Sequence, residues 1–141
     1  GMSALTVTAS SVLKGANAST NQGTAGATIT AGQPLYIDAS DSNKLKPCDA
    51  DASTAAANCV GIALNGASSG QPITYVTEDD DFTPGATLTT GLAYVVGATT
   101  AGDINPATDV SSGWYHVHLF IAKSSSKAKL KINAQISAAK A

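Results

Sequence analysis

The chain has 141 residues and a mass of 14.0 kDa, which predicts a single domain over 1–141 that is large enough to bury a core. Charged residues make up 13% of the chain, the net charge is −2, and all eight basic residues are lysine. Because arginine is the usual partner of phosphates and base edges, this composition argues against nucleic-acid binding. No run of about 18 apolar residues is present, so neither a transmembrane helix nor a membrane partner is expected.

The N-terminal residues indicate a tag remnant followed by a strand, and they do not have the pattern of a targeting signal. Gly1 before Met2 is typical of an expression-tag scar, and we expect residues 1–4 to be a tag remnant or a flexible start. No basic stretch followed by an apolar one is visible, so no signal peptide is predicted. Residues 5–13 alternate weakly between apolar and polar side chains and predict a strand. Residues 14–24 are polar and rich in Gly and Asn, which predicts a mobile loop.

A turn with a glycine, followed by a strand that bears a tyrosine, occurs three times in the chain. The copies are residues 30–36, 68–75 and 89–95. Because the intervals are unequal, we interpret them as one turn-and-strand device used repeatedly in an antiparallel sheet, rather than as a repeat array. Residues 27–30 predict a further short strand.

Residues 38–59 form a long polar segment with four aspartates. A calcium site is one interpretation of these carboxylates, although they lack the order of an EF-hand loop. The alternative is that they make turns and cap a helix, and residues 51–57 predict one or two helical turns. The four aspartates are Asp38, Asp41, Asp49 and Asp51.

Cys48 and Cys59 are the only cysteines. A disulfide between them would close a short loop. Without a secretion signal, two free thiols in a protein made in a reducing cytosol are the favoured interpretation. Two cysteines do not make a zinc site, because four ligands are normally needed.

Residues 60–77 predict the hairpin around which the chain is organised. Val60, Ile62 and Leu64 alternate with small residues, as in a strand with one buried face. Residues 65–70 supply the turn, and Pro72 begins the second arm, where a missing N–H disturbs a ladder least.

The next segment carries the only dense run of charge, at residues 78–81. Paired carboxylates can serve as acid and base in glycoside hydrolysis. Consecutive carboxylates avoid burial, however, and a solvated loop tip is the favoured interpretation. Residues 86–88 and 92–96 predict two further strands, and 97–112 predict a loop.

Residues 113–123 give the strongest predicted strand, and its two faces differ. The first face is predicted to be core and consists of Tyr115, Val117, Leu119 and Ile121. The second is aromatic and amphipathic, and we predict that it is an interaction face made of Trp114, His116, His118 and Phe120.

The two histidines of this strand also raise the question of a metal. His116 and His118 place two imidazoles about 7 Å apart on one side of a strand. Three chains on a threefold axis could complete such a site. The alternative is a packed face on which each histidine is hydrogen-bonded, and no other residue pattern marks a ligand set. We therefore expect no metal and no cofactor.

The C-terminal residues predict an edge strand. Ala128, Leu130 and Ile132 alternate with lysines, and lysine on an edge strand is a common guard against aggregation. Residues 137–141 are expected to fray. Together the elements predict an all-β fold: an antiparallel β-sandwich or barrel with long polar loops and at most one short helix.

Two short sequence segments resemble a known family. The first is Ala31-Gly32-Gln33-Pro34-Leu35-Tyr36. The second is Gly61-Ile62-Ala63 with the Ala-rich turn and Gly70-Gln71-Pro72-Ile73 after it. Together they resemble the hairpin of tailed-phage capsid cement, or head-decoration, proteins. The resemblance implies a β-sandwich or barrel that binds the outside of a phage head, often as a trimer, without a catalytic role.

The functional expectation is thus a non-enzymatic virion structural protein, made in the bacterial host cytoplasm. Its expected partners are itself, as a homotrimer, and the major capsid protein. The alternative is a carbohydrate- or surface-binding β-domain of a phage tail or fibre, in which Trp114, Tyr115 and the tyrosines of the three repeated phrases stack on sugars. An enzyme is not expected, because no ordered catalytic motif such as G-x-S-x-G is present.

Overall fold

The computed structural model describes residues 3–141, so the predicted tag scar at Gly1 and Met2 lies outside the described residues. Within this range the chain forms ten strands, one α-helix and three short 3-10 helices. The strands are β1 (Val12–Leu13), β2 (Ser19–Thr24), β3 (Pro34–Asp38), β4 (Lys44–Pro47), β5 (Gly61–Ala63), β6 (Pro72–Pro84), β7 (Ala93–Val96), β8 (Ile104–Pro106), β9 (His116–Ala122) and β10 (Ala128–Gln135). The α-helix, α1, is Thr54–Ala57, and the 3-10 helices are Ala9–Ser11, Ala39–Asp41 and Ala107–Asp109. The predicted all-β class with one short helix is confirmed.

The strands form one curled antiparallel sheet with β6 as its longest member. The order is β4-β3-β5-β6-β10-β9-β7-β8, and β1 and β2 also pair with β6. The predicted central hairpin is confirmed, because Ile62 lies opposite Val76 where β5 meets β6. Asn65 fixes the turn: its Oδ1 accepts the Thr74 N–H at 2.8 Å, and its Nδ2 donates to the Pro72 carbonyl oxygen at 3.2 Å.

The curl divides the interior into two cores. The larger core contains Phe82, Tyr94 and Phe120 and is enclosed mainly by the second half of β6 with β7, β9 and β10. The smaller core contains Tyr75 and is enclosed by β3, β4, β5 and the first half of β6. A parallel bridge between Ala25 and Leu45 draws the chain after β2 against β4 and covers the smaller core.

The acidic run at residues 78–81 is not a loop tip, and that prediction is wrong. All four residues lie inside β6, and Asp79 is 1% exposed. Its carboxylate accepts the Gly15 N–H at 2.7 Å and the Asp81 N–H at 3.0 Å. A buried carboxylate is tolerated where backbone donors meet both of its oxygens, and the neighbours Glu78 and Asp80 are exposed.

β10 is not an edge strand, which corrects a second prediction. It pairs with β6 on one side and with β9 on the other. Ala128 and Leu130 are buried, whereas Lys129 and Lys131 are exposed. The alternation with lysine therefore marks a strand that has one solvated face, and an interior strand of a sheet has such a face as readily as an edge strand.

Three segments in which no strand was predicted contain strands, and three predicted strands are reduced or absent. β2 lies in the predicted mobile loop 14–24, β4 lies in the polar segment 38–59, and β8 lies in the predicted loop 97–112. The helical turns predicted over 51–57 are present as α1. The predicted strand 5–13 forms regular pairing only at β1, and the predicted strand 86–88 is absent. The predicted strand 27–30 is a single bridge between Ile29 and Ala67. β2 was missed because five of its six residues are polar and none is fully buried, so no apolar periodicity marks it.

The C-terminal segment, for which fraying is predicted, makes hydrogen bonds to the residues before β9. The Gly113 N–H donates to the Lys140 carbonyl oxygen at 2.8 Å, and the Lys140 N–H donates to the Trp114 carbonyl oxygen at 2.8 Å. Lys140 Nζ also donates to the Val110 carbonyl oxygen at 3.0 Å. These bonds attach the chain end to the segment that leads into β9.

Gly85, directly after β6, joins the N-terminal segment to the sheet. Its φ is 77°, and an added Cβ would lie 2.7 Å from the Thr8 carbonyl oxygen. We expect Gly85→Ala to lower the free energy of unfolding by about 2 kcal/mol, because left-handed backbone strain and this backbone contact add together. Urea denaturation measures the change.

Gly91→Ala is the matched control for that prediction. Gly91 has a φ of 84°, but no atom lies within 4 Å of its added Cβ. It should show the backbone strain alone, about 1 kcal/mol. Equal losses in the two variants would contradict the role given to the Thr8 contact.

Candidate functional site

The structure divides the predicted interaction face into three environments. Trp114 precedes β9 and lines a polar pocket, His118 lines a groove on the outer surface of the sheet, and Phe120 lies in the larger core. His116 is exposed. The four residues are therefore not brought together on one face.

A β-bulge in β9 is the physical reason for this division. Tyr94 of β7 lies opposite Phe120, whereas the next residue, Val95, lies opposite His118. Leu119 is thus an extra residue in β9, and the two faces exchange after it. Consequently Phe120 points inward and Ile121 points outward, which reverses the predicted positions of both residues.

The burial of Phe120 is complete. Its ring centroid lies 5.3 Å from that of Tyr94 and 6.2 Å from that of Phe82, the latter at an interplanar angle of 60°. Such tilted and edge-to-face pairs stabilise a core beyond the burial of area. Phe120 is therefore unable to contact a partner in this fold.

The residues that remain outside form a groove across β9 and β10, which we call the outer-face groove. Its volume is about 440 Å³. Ile121, with 46% of its surface exposed, contributes the largest exposed apolar side chain of the groove. The groove is lined by His118, Ile121, Lys129, Lys131, Ile132 and Asn133.

The charges around the outer-face groove are mixed in sign. Lys129 and Lys131 flank it, and Lys131 pairs in register with Glu78 on the neighbouring strand β6. Burial lowers the pKa of His118, and the nearby His116 lowers it further. The pKa of His118 therefore lies below the ordinary histidine value of about 6.5.

The described residues provide no ligand set for either metal hypothesis, the calcium site at the aspartates or the site at the histidine pair. No group of three or more His, Cys, Asp or Glu side chains within residues 3–141 is arranged to hold a metal ion. Of the aspartates, Asp38 and Asp41 bind Lys46 at 2.7 and 3.1 Å. The bonds from Lys46 and Ser40 lower the pKa of Asp38 to about 2.

The other two aspartates of the polar segment lie beside the short helix. Ser53, and not an aspartate, caps α1, because its Oγ accepts the Ala56 N–H at 3.0 Å. Burial raises the pKa of Asp49, and its neighbour Asp51 raises it further. Cys48 and Cys59 are both buried free thiols.

A second concavity, which we call the polar pocket, lies where the 97–112 segment meets the start of β9. Its volume is about 520 Å³. It joins one aromatic wall to carboxylate, amide and hydroxyl groups. The side chains that matter for its chemistry are those of Thr99, Asp103, Asn105, Thr108, Asp109 and Trp114.

Sequence reasoning identified Trp114 and His118 but missed the residues around them. Ile121 was assigned to the core, because strict alternation hides a bulge. The polar pocket was missed because residues 97–112 were interpreted only as a loop. The available signal was a spacing of polar residues, Asp103, Asn105 and Asp109, next to a strand that begins with tryptophan.

Comparison with known proteins adds no family. Neither the protein-family models nor the curated proteins searched contain a match to this chain. Among residues 3–141, no helix has both the length and the apolar character needed to span a membrane.

Proposed function

We propose that this protein is a non-enzymatic structural protein of a phage virion, a capsid cement or head-decoration protein that binds the outer shell through the outer-face groove. Its partners in this proposal are the major capsid protein and further copies of itself, most simply as a homotrimer. It is made in the host cytoplasm and ends in the virion. The two Gly-Gln-Pro segments resemble those of cement proteins, and this resemblance suggests a capsid protein as the partner. The outer-face groove is the surface that would contact it.

The outer-face groove is the observation that carries the proposal. Single exposed apolar residues are normal on soluble proteins. Here Ile121 lies beside the partly buried Ile132 in a concave site, and lysines form its margin. An apolar centre with a polar margin is the arrangement found at protein interfaces.

The composition also suits a protein that works in many copies on a particle. With charged residues at 13%, the exposed surface consists largely of small polar side chains. Each copy then makes a modest contact, and a symmetric oligomer multiplies the apparent affinity when several copies engage one shell.

The proposal is tested by cosedimentation with shells assembled from the major capsid protein encoded beside this chain. Ile121→Asp places a charge in the outer-face groove and is expected to weaken shell binding at least about tenfold. Ile37→Asp is the matched control, because Ile37 on β3 has a similar exposure of 40% but lies outside the groove. It should bind as the parent does.

Three results would overturn the proposal. The first is a parent protein that does not sediment with shells. The second is an equal loss of binding in the Ile121→Asp and Ile37→Asp variants. The third is a gene neighbourhood without a capsid protein. Light scattering tests the trimer separately, and a monomer at all concentrations would exclude that part.

A further inference from the structure

The polar pocket is separate from the outer-face groove, since the two share no lining residue. Its volume of about 520 Å³ lies within the range of small-molecule sites in proteins. A function assigned to the outer-face groove therefore leaves the polar pocket unexplained.

The aromatic wall of the pocket is held by its backbone. The Trp114 N–H donates to the Ser111 carbonyl oxygen at 3.0 Å, and the Trp114 carbonyl oxygen accepts the Lys140 N–H at 2.8 Å. The partly buried indole packs against the larger core. An aromatic ring that is fixed before binding loses little conformational entropy when a ligand stacks on it.

The polar wall is organised around Asn105, which is 5% exposed. Its Nδ2 donates to Asp109 Oδ2 at 3.0 Å, so the amide orients this carboxylate. The Asn105 Oδ1 meets no hydrogen-bond donor among residues 3–141. Asp103 is half-buried, and this burial raises the pKa of its carboxyl group. A hydrogen bond to a partly desolvated acceptor is stronger than one in open solvent.

The charges select the class of ligand. The Asp103 carboxylate lines the pocket, so an anion such as a phosphate would be repelled there. Quaternary ammonium ions are held by cages of several aromatic rings, but Trp114 is the only aromatic residue among those that line the pocket. A neutral polyhydroxylated ring fits both walls: its C–H face stacks on the indole, and its hydroxyls donate to the Asp103 carboxylate.

We propose that the polar pocket binds a neutral saccharide unit, with Trp114 as the stacking surface and Asp103 as the acceptor for its hydroxyls. Thr99 and Thr108 add hydroxyls at the rim that donate to, or accept from, the sugar. The site is independent of shell binding and would let the same protein attach to a glycan.

The full-length protein provides its own reporter, because Trp114 is the only tryptophan. Its fluorescence is titrated with glucose, galactose, N-acetylglucosamine and rhamnose, and separately with choline chloride and sodium phosphate. We expect a saturable change with at least one of the four sugars and none with phosphate. Saturation with choline or phosphate alone, or with none of these compounds, would overturn the proposal.

Variants of the protein test which residues bind the sugar. Asp103→Asn keeps the shape of the side chain but removes a charged acceptor, and it should weaken binding of the best sugar at least about tenfold. Asp80→Asn is the matched control, since Asp80 is an exposed aspartate outside the pocket and should leave binding unchanged. Equal affinities in all three proteins would exclude the assigned role of Asp103.

The stacking role of Trp114 is tested by saturation-transfer NMR, which needs no tryptophan. Trp114→Ala should lose the sugar signal, and Trp114→Phe should restore part of it because the phenyl ring can still stack. If Trp114→Ala does not fold, the Phe variant and Asp103→Asn carry the test. Ile121→Asp should bind sugar normally, so failure of this proposal and failure of shell binding are distinguishable.

Discussion

Phe120→Ala is expected to lower the free energy of unfolding by about 3–5 kcal/mol, because it removes a fully buried ring from the larger core. The ring contacts both Phe82 and Tyr94, so its loss leaves a cavity between two large aromatic side chains that cannot easily collapse. Urea denaturation monitored by far-ultraviolet circular dichroism gives the change. The slope of the transition should stay constant, as for a variant that alters stability alone.

Ile121→Ala is the control for this prediction, because it alters the next residue of the same strand. Ile121 is 46% exposed, so its truncation should cost less than about 1 kcal/mol. Uninterrupted alternation along β9 predicts the reverse, with Ile121 in the core and Phe120 outside. A larger loss for Ile121→Ala would therefore show that the bulge at Leu119 is not present.

The comparison between these two residues also shows how far sequence alone predicts this fold. The hairpin of β5 and β6 and the strand β9 were predicted because each carries alternating apolar residues that one buried face requires. A bulge moves every later side chain to the opposite face, and no residue type marks it in β9. Thus the strand was found, but its outward face after Leu119 was not.

Short polar strands were the second source of error. β2 is held in the sheet by its pairing with β6 and not by burial of its own side chains, since none of its residues is fully buried. β8 is fully buried but is only three residues long and contains an Asn-Pro pair, which is a turn signal. Both strands are fixed by tertiary pairing that local sequence does not encode.

The candidate sites were predictable only in part for the same reasons. Trp114 and His118 stood out as aromatic and titratable residues near one strand. Ile121 was hidden by the bulge, and Asp103 and Asn105 were hidden in a segment interpreted as a loop. Folding places Asp103 and Asn105 beside Trp114 in the polar pocket, and His118 and Ile121 in the outer-face groove, and spacing along the chain contains no record of either proximity.

Asp79→Ala is expected to be the most costly change in the acidic run, with a loss of about 3 kcal/mol in the free energy of unfolding. The two carboxylate oxygens accept different backbone donors, Gly15 N–H and Asp81 N–H. The first bond holds the segment between β1 and β2 against β6. The second spans a register shift in β6, because Phe82 pairs with Ala128 whereas Asp79 pairs with Leu130. Alanine leaves both amides without this acceptor.

A graded series separates this role from a general effect of charge. Asp79→Asn keeps one acceptor oxygen but presents an amide NH2 group, itself a donor, to the other backbone N–H, so its loss should lie between that of Asp79→Ala and zero. Asp80→Ala removes a neighbouring exposed carboxylate and should change stability by less than about 0.5 kcal/mol. Amide hydrogen exchange gives an independent measurement, because Gly15 and Asp81 should lose protection in the Asp79→Ala variant and keep it in Asp80→Ala. If the Asp80 change proved as costly as the Asp79 change, repulsion among the carboxylates, and not their hydrogen bonds, would govern this part of the sheet.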